Sequence, residues 1–162
     1  MKHWIALAAG LLAGASAMAQ AWPTKPIRFI VPFTAGSGTD IIARTVGDTM
    51  ARSLGQPIII ENKPGAGGTI AAAQVAKSEA DGYTILVHSS GHVVNPAIYT
   101  NLSYDTLKDL SGVVPMAALP NVLVVAPNRG WKTVGDLVAE AKAKPGKLNY
   151  ASAGAGAATH LN

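Results

Sequence analysis

The stretch IRFIVPFTAGSGTD, residues 27–40, decides the fold. Ile27, Phe29, Ile30, Val31 and Phe33 form a short apolar run of the kind that makes a buried strand. Gly36, Ser37 and Gly38 follow, then Thr39 and Asp40, and from there apolar residues recur at helical spacing. A strand feeding a glycine turn that opens a helix leaves backbone N–H groups pointing outward. The helix adds roughly half a positive charge at the same point, so such a turn can hold an anion. The unit recurs at Ile58-Ile59-Ile60 with Gly65-Ala66-Gly67-Gly68 and Thr69, and again at Leu148–Ala151 with Gly154-Ala155-Gly156 and Thr159. Repetition of one device points to a protein that holds something negatively charged.

Outward from this stretch, Ile42, Val46, Met50 and Leu54 predict a helix from about Asp40 to Leu54 with one apolar stripe. Gly55 and Pro57 stop it. A strand is expected at Ile58–Glu61, a helix from about Ile70 to Ala80, and a third strand at Tyr83–Val87. This alternation gives an α/β fold with a parallel sheet and right-handed crossovers. His88 to His92 reads as a loop at a strand's carboxyl end, with Asn95-Pro96 opening a short helix. Val113–Leu119, broken by Pro115, reads as an edge strand or a crossing between domains, and Val122–Ala126 and Leu148–Ala151 read as strands. Thr133-Val134-Gly135-Asp136 is a capping box opening a helix to about Lys144. The expected division is therefore a leader at 1–21, a first α/β domain at 22–112 and a second, incomplete one at 113–162.

Of the 162 residues, 49% are hydrophobic and 14% charged, enough apolar surface for a packed core. The formal net charge of +4 is spread over single basic residues with no aromatic cluster beside them, which gives nucleic-acid binding no support. With no cysteine there is no disulfide framework and no thiolate site. Met1-Lys2-His3 and the apolar run from Trp4 to Met18, followed by Ala17-Met18-Ala19 and Ala19-Gln20-Ala21, read as a cleaved secretory leader cut after Ala19 or Ala21. The run is shorter than the ~20 residues a membrane span needs. Residues 157–162 read as the first turn of a helix, so the chain is expected to be the amino-terminal part of a longer protein, binding its solute poorly by itself.

Three other chemistries have partial signatures in the chain. Gly36-Ser37-Gly38 with Glu61 at the end of the second strand resembles a dinucleotide fingerprint, but Ile41 stands where glycine or alanine is needed. His88 and His92 have the spacing of two metal ligands on a helix, without a third nearby. Ser152-Ala153-Gly154 is half of a nucleophile elbow, with Tyr150 in place of its first glycine; an exported hydrolase using Ser152 is the alternative reading.

WPTKPIRFIVPFTAGSGTDIIAR, ENKPGAGGTIAA, DGYTILV and PGKLNYASAGAGAATH together resemble the Bug (TctC-like) extracytoplasmic solute receptors, the periplasmic binding proteins of tripartite tricarboxylate transporters. The resemblance implies a periplasmic-binding-protein-like (type II) fold, two α/β domains with the ligand in the cleft between them. It implies a receptor in the periplasm and not an enzyme, a small carboxylate or related solute, no cofactor and no metal, transporter membrane subunits as partners, and a monomer when complete. The ligand grips it implies are Phe33, Thr34, Ala35, Gly36, Ser37, Gly38, Thr39 and Asp40 in the first turn, and Gly65, Ala66, Gly67 and Gly68 in the second. Ser89, and then Ser152, Ala153, Gly154, Gly156, Thr159 and His160, complete the set. Asp40 runs against anion binding; near a helix start it is expected to accept from backbone N–H groups and fix the loop.

Overall fold

A computed structural model of the chain describes residues 22–161; the expected leader and its cleavage site lie outside the described residues. β1 (Ile27–Val31) is the middle strand of a three-stranded parallel sheet, with β2 (Ile58–Asn62) on one side and β3 (Thr84–Leu86) on the other. Alternation along β1 sends Ile27, Phe29 and Val31 to one face, where they pack with Ala43 and Val87, and Ile30 to the other, where it meets Ala71 and Val75. Helices α1 (Gly38–Leu54) and α2 (Thr69–Ala76) cover these two faces. Burial on both faces is why β1 reads as an unbroken apolar run.

The packing stripe of α1 is turned by one residue from the expected one. Ala43 and Gly47 are buried, with Met50 and Leu54 beside the core, while Ile42 faces the cavity described below. A β-carbon on Gly47 would stand 3.1 Å from the Ile58 side chain, so the small residues let helix and sheet approach closely. Helix α2 ends at Ala76, four residues before the expected end at Ala80, because the Ser78 hydroxyl and N–H both bond the Val75 carbonyl, at 2.7 and 3.0 Å. Helix α3 (Gly91–Ile98) begins before Asn95 and carries Pro96 inside it, so His92 is helical and not part of a loop. Its buried contacts, described below, override the local start signal at Asn95-Pro96.

Helix α4 (Val134–Ala143) follows the expected capping box: the Asp136 N–H donates to Thr133 Oγ1 at 3.2 Å and the Thr133 N–H to Asp136 Oδ2 at 2.8 Å. The last helix, α5, is a single turn at Ala158–Leu161. The strands expected at Val113–Leu119, Val122–Ala126 and Leu148–Ala151 do not form: among the described residues only β1, β2 and β3 pair. A strand is stabilised by a hydrogen-bonded neighbour, and these apolar segments have none. They run without regular structure, Val113 82% and Val124 81% exposed. Among the described residues no helix is long and apolar enough to cross a membrane.

Candidate functional site

The loops at the carboxyl ends of all three strands open into one cavity of about 820 Å³. In an open α/β sheet this is where a crevice forms, since the chain leaves the central strand to one side and returns on the other. Its walls include Thr34, Ser37 and Thr39 from the first turn, Pro64 to Gly68 from the second, and Leu86 to Ser90 after β3. Ala153, Gly154 and Thr159 add the third turn, and Val114 to Ala117 with Leu119 form an apolar wall. Among the described residues no Arg, Lys, Asp or Glu lines it.

The first turn is held by a buried carboxylate. Asp40, 2% exposed, accepts from the Gly36 N–H at 2.8 Å, from Arg44 Nε at 3.0 Å and from Asn62 Nδ2 at 2.9 Å. Asn62 Nδ2 also reaches the Phe33 carbonyl at 3.0 Å, tying the end of β2 to the end of β1. The Arg44 guanidinium, helped by the Gly36 and Asn62 donors and opposed by burial, holds the Asp40 carboxyl down at about 2. Asp40 is therefore occupied in fixing the loop and does not line the cavity; neither do Ala35 and Gly36, whose N–H is spent on Asp40. Ser37 caps α1 by accepting from the Asp40 N–H at 3.3 Å. What remains free is the start of the helix. The N–H groups of Gly38 and Thr39 have no carbonyl one turn behind them, and both residues line the cavity with Phe33, Thr34 and Ser37. Gly38 lies in helical backbone and needs no special backbone freedom; a β-carbon there would stand 2.9 Å from Leu119 Cδ1, the end of an exposed side chain that can move aside.

The second turn is more contorted. Ala66, with φ 45°, lies in the left-handed region, as do Gly67 at 60° and Gly68 at 93°. The Gly68 N–H closes this turn on the Gly65 carbonyl at 2.9 Å, so the Ala66 and Gly67 N–H groups are the ones left to face an anion in the concavity of the turn. A β-carbon on Gly68 would overlap the imidazole of His88, which sits beneath the turn. Burial, and secondarily His92, pull His88 well below the usual histidine range, to about 4, so it is neutral near neutral pH. The rings of His88 and His92 lie 5.1 Å apart, and among the described residues no three His, Cys, Asp or Glu side chains gather as metal ligands would. Glu61, the acidic residue of the dinucleotide reading, is engaged by Arg28 at 2.6 and 2.9 Å.

At the third turn Gly154 (φ 103°) and Gly156 (φ 82°) bend the chain, and the Ala157 N–H donates to the Gly154 carbonyl at 3.0 Å. Helix α5 is too short for a sizeable dipole, so this turn offers the cavity loop backbone and the Thr159 side chain. Ser152, Gly156 and His160 do not line the cavity. Ser152 Oγ stands 3.1 Å from His160 Nδ1 and accepts from the Gly154 N–H at 3.3 Å, so it braces the turn. Among the described residues no carboxylate bonds His160, and nothing supports the hydrolase reading. Ser89 lines the cavity beside His88. Sequence reasoning missed Tyr99, Met116 and Leu119 as lining residues. The apolar wall was legible only as a strand, and Tyr99 carried no local signal.

The chain matches the family model described as the tripartite tricarboxylate transporter family receptor over residues 42–162. It is 45% identical over 158 residues to a UPF0065 protein of Bordetella pertussis, covering 97% of this chain and 49% of that protein. A solved structure described as a periplasmic transporter is 44% identical, with a TM-score of 0.81 over 87% of this chain and 48% of its own. A protein of R. palustris solved with adipate is 36% identical, with a TM-score of 0.81 over 86% of this chain and 47% of its own. The chain thus spans about half the length of the relatives it matches. Its α/β architecture, with a parallel sheet and glycine turns meeting at one cavity, is that of periplasmic solute-binding proteins, and the chain belongs to the receptor family of the tripartite tricarboxylate transporters.

Proposed function

We propose that this chain forms the solute-gripping part of a periplasmic receptor that captures a small carboxylate with an apolar body for a tripartite tricarboxylate-type membrane transporter. The observation that carries this reading is a cavity with backbone donors at its glycine turns and no charged side chain in its wall. A carboxylate is neutralised there by the N-terminus of α1 and by the amides of the second turn, which need no arginine. Val114, Pro115, Met116 and Leu119 give the rest of the ligand an apolar surface. Adipate, the molecule solved with the R. palustris relative, has this combination of charged ends and a methylene body. In the same reading the receptor returns its ligand unchanged and performs no catalysis. Residues 22–112 and those from 113 onward belong to two units flanking the ligand. The leader delivers the protein to the periplasm, and the complete receptor acts as a monomer.

Of the predicted grips, Phe33, Thr34, Ser37, Gly38, Thr39, Gly65, Ala66, Gly67, Gly68, Ser89, Ala153, Gly154 and Thr159 fit as direct contacts, since all line the cavity. Ala35, Gly36, Asp40, Ser152, Gly156 and His160 fit as residues that shape the turns. Gly38→Val tests the first grip. Its side chain would project at Leu119 and into the path of a carboxylate approaching the α1 amides. Affinity for adipate is expected to fall about tenfold, or about 1.4 kcal/mol, with the melting temperature nearly unchanged. Unchanged affinity by calorimetry would make this turn purely architectural.

A further inference from the structure

Helix α3 stands between the second and third turns and touches both. Asn95, fully buried, donates from Nδ2 to the Gly67 carbonyl at 3.2 Å, and its Oδ1 lies 3.0 Å from where a β-carbon on Gly156 would stand. One helical turn on, the Tyr99 hydroxyl donates to the Ala155 carbonyl at 3.2 Å. At the other end of the helix a β-carbon on Gly91 would overlap the Gly156 carbonyl oxygen. A β-carbon on Gly67 would stand 2.7 Å from the Ala155 carbonyl oxygen and 3.3 Å from Gly156 Cα. The two turns are thus in backbone contact across residues nearly 90 positions apart in the chain, and the contact exists only because Gly67, Gly91 and Gly156 lack side chains.

We propose that α3 is a clasp that seats the third turn on the second. Asn95 and Tyr99 are its positioning residues, and the Gly67–Gly91–Gly156 seat sets which length of carboxylate the site accepts. The length claim rests on the reading of the cavity as a carboxylate site. The physical argument is one of spacing. The first turn is fixed to the sheet by Asp40 and Asn62, and the second is fixed over His88. The third turn is placed by α3, so a change in its seat alters its distance from the α1 amides and leaves the sheet alone. A ligand that reaches from the α1 amides to the loop backbone and Thr159 of the third turn reads that distance, whereas a general loosening weakens every ligand alike.

The test uses the full chain carrying Gly91→Ala, a substitution outside the cavity lining, with Gly112→Ala, which meets nothing within 4 Å, as control. Affinities for succinate, glutarate, adipate and pimelate are measured by titration, and amide hydrogen exchange is followed at Ala157 and along β1. Gly91→Ala is expected to change the ratio of adipate to succinate affinity by about tenfold and to speed exchange at Ala157, leaving β1 protected. Tyr99→Phe, which removes only the hydroxyl, is expected to move the ratio in the same direction by less. An unchanged ratio overturns the length claim, even if all four ligands bind more weakly. Unchanged exchange at Ala157 overturns the clasp. If the unaltered chain binds none of the four, the carboxylate reading fails and takes the length claim with it, while the exchange experiment still decides the clasp.

Discussion

Replacing Asp40 with alanine is expected to destabilise the folded chain by about 3 kcal/mol and to abolish carboxylate binding, because the first turn loses the acceptor for three donors at once. The Gly36 N–H would lose its side-chain partner and the Asn62 amide would keep only the Phe33 carbonyl, so the turn loses the acceptor that ties it to α1 and β2, which is the costly part. Arg44 is half exposed and regains water, so its share is small. Asp40→Asn keeps the size but not the charge, and is expected to fall between the two. Urea unfolding of the three proteins measures this, and a loss below about 1 kcal/mol for the alanine variant would show that the network is not what holds the turn. The acid limb of the stability profile supplies a second reading. A carboxyl held near 2 in the folded state against an ordinary 3.8 contributes stability that is fully present above the higher value, and this is lost as pH falls through the lower one. His88, held near 4 against an ordinary 6.5, acts earlier on the same side: the unfolded chain takes up a proton that the folded chain refuses. Stability is therefore expected to decline first between about pH 6.5 and 4 and again below that, where Glu61 and other paired carboxylates contribute too, and Asp40→Asn should shrink only the second decline.

Gly68→Ala is expected to weaken binding strongly through the second turn. The added methyl would have to share space with the His88 ring and with Pro32 Cβ, 2.9 Å away, at a φ of 93° that disfavours any L side chain. The second turn can relieve this only by lifting off His88, which turns its amides away from the cavity. A loss of about a hundredfold in affinity for adipate, near 2.7 kcal/mol, is the expected outcome. Strain alone is separated from overlap by Gly55→Ala at the end of α1, where φ is 67° and nothing lies within 4 Å. That variant should lose about 1 kcal/mol of stability and bind normally. Equal binding by Gly68→Ala and the unaltered chain would remove the second turn from the site.

What could be read from the sequence was what is local. The run Ile27–Val31, the stop at Gly55 and the capping box at Thr133 each depend on residues within a turn or two, and the structure has them where the residues place them; the start of α1 at Gly38, capped by Ser37, comes two residues before the expected Asp40. The role of Asp40 was legible for the same reason, its partner Gly36 being four residues away. The pattern of small residues in α1 was harder to read. Ile42 and Val46 make a convincing apolar stripe, yet Ala43 and Gly47 are the buried residues, since close approach to Ile58 favours small side chains over large ones. Val113–Leu119 has a strand's composition, but a strand also needs a neighbour, and composition does not supply one. Asn95 and Tyr99 were out of reach altogether: their partners lie 28 and 56 residues away, and nothing in the local pattern of α3 announces them.

The central claim is that this cavity holds a carboxylate through backbone amides, and amide-resolved NMR of the full chain titrated with adipate tests it most directly. The account predicts saturable shifts at Gly38 and Thr39 and at Ala66 and Gly67, with adipate recovered chemically unchanged. Absence of saturable shifts at these amides, or saturation confined to residues outside the cavity, would contradict it.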